Sequence, residues 1–107
     1  MVHEITSLEE FREKVIVGSG DDKLVVVDFW ATWCGPCKMI GPKFAKLSKE
    51  ETDVTFYKVD VDEVSEVAEQ EEIEVMPSFK FYKNGSCVET LKGSSEARLK
   101  ELVAKYK

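Results

Sequence analysis

Apolar positions along this chain fall into blocks whose period switches between helical and extended, and the switches predict alternating helices and strands. Ser7-Leu8-Glu9-Glu10 has the form of a capping box. Leu8, Phe11 and Val15 then recur at helical spacing until Gly18, Gly20 and the Asp21-Asp22 pair end the helix. Leu24-Val25-Val26-Val27-Asp28-Phe29-Trp30 is continuous and β-branched, with one acid in it. That is the composition of a strand covered on both faces, the central strand of a parallel sheet. Met39, Ile40, Phe44 and Leu47 return to helical spacing, and Pro42 is expected to kink their helix. Val54 to Val59 reads as a second internal strand, followed by a short helix with Val64, Val67 and Ala68 on one face. Ser78 to Lys83, Asn84-Gly85 and Cys87 to Leu91 predict a hairpin, since Asn-Gly suits a type I′ turn. Ser94 or Ser95 caps a last helix carrying Leu99, Leu102, Val103 and Tyr106. Helix-linked strands closed by an antiparallel hairpin imply an α/β fold, a mixed sheet with helices on both sides.

Composition narrows the function more than the fold. The 107 residues are 43% hydrophobic and show no repeat or linker, so one domain spanning 1–107 is expected. No apolar run approaches the ~18 residues that cross a bilayer. The first residues, Met1 to Thr6, lack the basic and apolar regions of a signal peptide, so a cytoplasmic protein is expected. Acids outnumber bases 21 to 15, for a net charge of −6. That balance argues against nucleic acid and against anionic membrane surfaces as partners. Many of the acids lie between Asp60 and Glu74, where solvated helix surface is the plain expectation. A patch selecting partners with basic surfaces is the alternative.

Chemistry enters with the cysteines. An odd, low count, Cys34, Cys37 and Cys87, does not look like a secreted disulfide framework, and two of the three stand as Cys-x-x-Cys. The segment from Phe29 to Lys38 joins the buried strand to the following helix. Cys34 is therefore expected at the helix N-terminus, where free amides and the helix dipole favour a thiolate. Cys37, three residues on, faces it within disulfide reach. Cys34 is thus the candidate nucleophile and Cys37 the candidate resolving thiol. Cys37, further into the first turn, starts as a thiol and needs a base. Asp28 is the candidate, the one charge in an apolar strand, with burial raising its pKa. Lys58, on the adjacent predicted strand, is a candidate to temper that charge, with a plain surface lysine as the alternative. Gly35 and Pro36 carry no ionisable group, which favours a reductant over an oxidant.

Trp33-Cys34-Gly35-Pro36-Cys37-Lys38 resembles the thioredoxin active-site motif residue for residue. The resemblance covers essentially the whole chain, including Asp28, Pro42, Met76-Pro77, Lys83-Asn84-Gly85 and Gly93. Cytosolic eukaryotic members of the family are the most similar in pattern. It implies a thioredoxin fold, a five-stranded mixed sheet flanked by four helices, with Pro77 in cis facing the cysteines. It also implies a substrate-binding surface formed by Trp33, Gly35, Pro36, Met76, Pro77 and Gly93, where the Met76 backbone pairs with an extended segment. Reducing equivalents would come from NADPH through a separate thioredoxin reductase, with no cofactor bound here, since the chain has no Gly-rich dinucleotide fingerprint. Client proteins with disulfides, peroxiredoxin-type enzymes among them, would be the acceptors, and a monomer is expected, with a dimer as the alternative. Many cytosolic relatives carry a cysteine just before Met-Pro, where this chain has Val75.

Three residues sit outside that scheme. Cys87 is expected as a small apolar filler, with an oxidisable or dimer-forming thiol as the alternative. His3 with the three cysteines could compose a Cys3His zinc set, but the paired second half-site is missing and no metal is expected. A non-catalytic scaffold on the same fold and an isomerase-like oxidant are the remaining rivals.

Overall fold

The structure, a computed structural model, describes residues 1–107. Strand β1 (Val2–Glu4) leads into helix α1 (Leu8–Phe11), which widens into π-helical turns over Arg12–Val17. Strand β2 (Val25–Trp30), helix α2 (Gly35–Glu50), strand β3 (Thr55–Asp60) and helix α3 (Ser65–Gln70) follow. The hairpin of β4 (Ser78–Lys83) and β5 (Ser86–Lys92) and helix α4 (Glu96–Tyr106) complete the chain. The five-stranded sheet has the order β1-β3-β2-β4-β5. β2 is central, parallel to β3 on one side and antiparallel to β4 on the other. The sheet is therefore mixed, and the run from Val25 to Phe29 is buried throughout.

Side-chain alternation along β2 divides the core. Val26 joins Ile40, Phe44, Leu47, Leu99, Leu102 and Val103 in a cluster beneath α2 and α4. Val25, Val27 and Phe29 point the other way, towards Phe11, Val15, Val64 and Val67 from α1, its π extension and α3. Alternation of period two puts Asp28 and Trp30 on the α2 side with Val26.

Local chemistry accounts for most boundaries. Ser7 Oγ accepts from the Glu10 amide at 3.0 Å, but Glu10 Oε1 reaches past Ser7 to the Thr6 amide at 2.7 Å. The cap thus ties in the end of the β1 loop as well. α2 runs on through Pro42 without a break in its assignment, because α4 and the sheet hold its apolar face on both sides of the proline. Asn84 and Gly85 have φ of 53° and 79°, the left-handed pair that a type I′ turn requires. Of the two serines, Ser95 caps α4, accepting from the Arg98 amide at 3.2 Å.

One strand has no pattern in the sequence, and one expectation fails. β1 has only three residues, too few to display a period, and pattern reading of the chain passes it by. Cys87 is exposed rather than a core filler. A register shift in the hairpin pairs Phe81 with Glu89 but Tyr82 with Cys87, so Val88 is extra. Strict alternation from the buried Leu91 would carry Cys87 to the α2 side; the extra residue flips it to the opposite face. There its thiol contacts the Glu89 carbonyl at 3.3 Å and Thr90 Oγ1 at 3.6 Å.

Candidate active site

The chain leaves the buried end of β2 and turns directly into α2, so the residues of that turn are fixed by the sheet on one side and the helix on the other. Cys34 is the N-cap of α2 with extended backbone, and its Sγ accepts from the Cys37 amide at 3.2 Å. An acceptor at this position meets one of the amides that the first helical turn leaves free, and negative charge there is favoured by the dipole. Pro36 falls in the first turn, where its missing N–H is no loss. Cys34 and Cys37 form a disulfide, with Cα atoms 5.3 Å apart. Cys37 is the more buried of the two, 3% exposed against 6%. Ala31 completes a small buried cluster with them, and Trp30, Val61 and Met76 pack against it.

Behind the cysteines lies Asp28, 3% exposed at the middle of β2. Its Oδ1 has no hydrogen-bond partner in the protein. Burial pushes its carboxyl up to about 7, and the charge of Lys58 opposes the rise. Lys58 is the direct neighbour of Asp28 in the parallel register of β2 and β3. Its ammonium stands 5.2 Å over the Trp30 ring rather than in an ion pair. Asp28 and Cys37 line the same cavity.

Around the disulfide, Trp33 is 67% exposed, Gly35 and Pro36 are exposed, and Met76 and Gly93 are half-buried. Pro77 is buried, and the Met76–Pro77 bond is cis. The Gly93 amide donates to the Pro77 carbonyl at 2.9 Å, which joins the start of the last loop to this surface. Gly93 has φ of 105°, a conformation that side chains disfavour. A Cβ at Gly35 would meet nothing within 4 Å, so close packing does not demand glycine there.

The cysteines thus sit at the head of α2, with Met76 packed against their cluster, Gly93 hydrogen-bonded to Pro77, and Asp28 buried in β2. The rival zinc set does not assemble, because His3 lies beside Glu10 and Lys14 on edge strand β1 while Cys87 lies on the opposite edge strand β5, and no metal-binding cluster forms. Two contacts carry no sequence signature of their own. The Trp33 indole donates to Asp62 Oδ2 at 2.8 Å, and Asp60 Oδ1 accepts the Asp62 and Glu63 amides at 2.9 and 3.2 Å. Asp60 is buried, so the acid run is not surface from end to end; Asp62, Glu63, Glu66, Glu69, Glu72 and Glu74 are exposed.

The thioredoxin family model matches residues 2–105. The chain belongs to the thioredoxin family. Thioredoxin 1 of Plasmodium falciparum is 53% identical over 106 residues, covering 99% of this chain and 98% of its own. Thioredoxin NaTrxh of Nicotiana alata superposes with a TM-score of 0.94 at 39% identity, over 99% of this chain and 92% of its own. A chain from work on the thiol resolving mechanism in yeast mitochondrial 1-Cys peroxiredoxin via glutathione/thioredoxin systems has a TM-score of 0.88 at 35% identity, covering 97% and 94%. As in thioredoxins generally, the five strands and four helices carry a redox-active Cys-Gly-Pro-Cys pair, and the protein is a thiol–disulfide oxidoreductase that reduces protein disulfides. The electrons reside in the dithiol itself, so no bound cofactor is needed. No helix is long and apolar enough to cross a membrane.

Proposed function

We propose that Cys34 is the attacking thiol, Cys37 the resolving thiol and Asp28 the base that takes the Cys37 proton. The observation that carries this reading is the cap geometry: Cys34 Sγ already accepts the Cys37 amide, as a thiolate would. The Cys34 thiolate attacks one sulfur of a client disulfide, the client S–S bond breaks, and the first client sulfur leaves as a thiol after protonation. The Cys37 proton passes to Asp28, and Cys37 attacks Cys34 Sγ. The Cys34–Cys37 bond forms, the second client thiol departs, and two electrons have moved to the client. Lys58 tunes Asp28 by its charge.

Trp33, Gly35, Pro36, Met76, Pro77 and Gly93 form the surface on which the client segment lies, with Met76 packed directly against the cysteine cluster. NADPH, through a separate thioredoxin reductase, is the electron source in this reading, and peroxiredoxin-type enzymes are among the clients. The cytoplasm is the compartment we infer, supported by the exposed, unpaired Cys87, which a reducing environment tolerates. The working state is a monomer.

The test is NADPH consumption with thioredoxin reductase and insulin. Wild type is expected to turn over, and Cys34→Ser to lose about a thousandfold or more. Cys37→Ser is expected to accumulate a mixed disulfide through Cys34. Trapping through Cys37 in Cys34→Ser instead would reverse the assignment.

A further inference from the structure

The large apolar side chains exposed on this fold are Met1, Val17, Trp33, Met39, Val75 and Val88. Trp33 adjoins Cys34 and Val75 adjoins Met76, so both stand at the client surface. Met39 is 75% exposed on α2, and neither the core nor the dithiol chemistry uses it. The helix explains where it stands. Cys37, Ile40 and Phe44 turn one face of α2 into the protein. Pro36, Met39 and Lys43, at helical spacing, share a flank outside that face. The Lys43 ammonium lies 3.7 Å from the Glu96 carboxylate at the start of α4, so this flank faces the loop from Gly93 to Ser95. Gly93 in turn is bonded to Pro77. Met39 therefore stands on the side of α2 that carries Pro36 and faces Gly93, and it continues the client surface along the helix. Helical side chains lean towards the N-terminus, which tips its thioether towards the turn that holds the disulfide.

Reduction of a protein disulfide brings a stretch of client chain against Cys34. From Cys34 to Met39 the helix rises about 7.5 Å. Three residues of extended client chain span about 10 Å. A segment presenting its disulfide to Cys34 thus reaches Met39 within three residues of its own cysteine. We propose that Met39 is a specificity-determining residue, receiving an apolar side chain that lies two or three residues from the client cysteine under attack. The inference rests on the client surface proposed above and extends it by one anchor. An unbranched thioether with three rotatable bonds moulds to apolar groups of different shape, which suits clients of unlike sequence. The neighbouring charges, Lys43 and Glu96, are already paired with each other, so apolar burial rather than charge decides what is received here.

The experiment compares two soluble peptides, each with one cysteine held in a disulfide with 2-mercaptoethanol. They differ only in having leucine or serine at the second and third positions on both sides of that cysteine. The pre-reduced full chain is mixed with each peptide, and the remaining dithiol is alkylated and counted by mass, so no reductase takes part. Wild type is expected to react about tenfold faster with the leucine peptide. Met39→Gln, which keeps the length and loses the apolar end, is expected to cut that preference to about threefold or less. Met39→Leu should retain it. Val17→Gln should retain it too, since Val17 is 74% exposed but lies near Ser19, which meets the hairpin turn at the opposite end of β4 from Pro77. The preference is a ratio on one dithiol, so a general loss of reactivity or folding cancels from it. A preference kept in full by Met39→Gln overturns the role of Met39 and leaves the client surface standing. The same drop in Met39→Leu or in Val17→Gln also overturns it. No preference in wild type overturns the apolar client surface itself, and the role of Met39 with it.

Discussion

The two sides of the active-site turn treat the same chemical groups in opposite ways. On the outer side an aspartate and an indole satisfy their neighbours: Asp60 accepts two amides, and Asp62 accepts the Trp33 N–H. On the inner side Asp28 Oδ1 and Trp30 Nε1 are both buried and both without a partner. Asp60 and Asp28 occupy neighbouring strands and are similarly buried, so burial alone does not separate them. The difference is what the backbone offers. β3 ends at Asp60, and the turn that follows turns its free amides back onto the carboxylate. Asp28 lies mid-strand, where the ladder uses every nearby amide. The outer half is satisfied within the fold; the inner half keeps a carboxylate oxygen and an indole N–H without partners.

Substitution of the two aspartates should therefore move stability in opposite directions. Asp28→Asn removes a carboxyl whose pKa folding raises from 3.8 to about 7. The folded chain holds that proton more tightly than the unfolded chain, so wild-type stability falls as pH rises through this window. Below it the variant and wild type should match, and at pH 8 the variant should be more stable by up to about 4 kcal/mol. Denaturant unfolding at pH 3 and pH 8 measures both limits. The same variant should resolve the mixed disulfide about a hundredfold more slowly. A variant equally stable at both pH values would remove the contrast altogether.

Asp60→Ala should instead destabilise at neutral pH, by about 2–3 kcal/mol, because two amides lose a charged acceptor. Its reduction rate should fall less than that of Asp28→Asn, since no proton passes through Asp60. Trp33→Phe keeps the ring and loses the bond to Asp62, a half-solvated contact worth about 0.5–1 kcal/mol in unfolding. The smallest effect is remote from the site. Hydrogen bonds from Lys14, His3 and the Thr6 amide hold Glu10 down to about 2, so the group contributes stability above its ordinary range that is lost as pH falls towards 2. Glu10→Gln should cost no more than about 1 kcal/mol at pH 6, the scale of a surface network, and the deficit should shrink on acidification.

Legibility followed sequence distance. Trp33 to Lys38 form one contiguous turn, and a helix N-terminus is a local structure, so the role of Cys34 as cap could be read from the order of residues. Asp28 could be read as well, because a lone charge in an apolar β-branched run stands out against its neighbours. The neighbouring Trp30 could not be read this way: a tryptophan at the end of an apolar strand looks like core, and only the packing of α2 shows its N–H left without an acceptor. The exposure of Cys87 is hidden from the sequence for a related reason. One extra residue at Val88 reverses every inward–outward assignment beyond it, and an irregularity of pairing is a property of two strands, not of either sequence.

By itself the sequence determined the alternation of elements, the Asn84-Gly85 turn, a serine cap at 94 or 95 and the placing of two cysteines at the head of a helix, since each is settled by periods, turn chemistry and caps within a few residues. The tertiary structure alone decided that Lys58 stands beside Asp28, that Asp62 holds Trp33, that Gly93 hangs on Pro77, and that Asp28 and Cys37 line one cavity. Those are contacts between residues far apart in the chain, fixed by sheet register and helix packing, and the energy that fixes them belongs to the buried core as a whole.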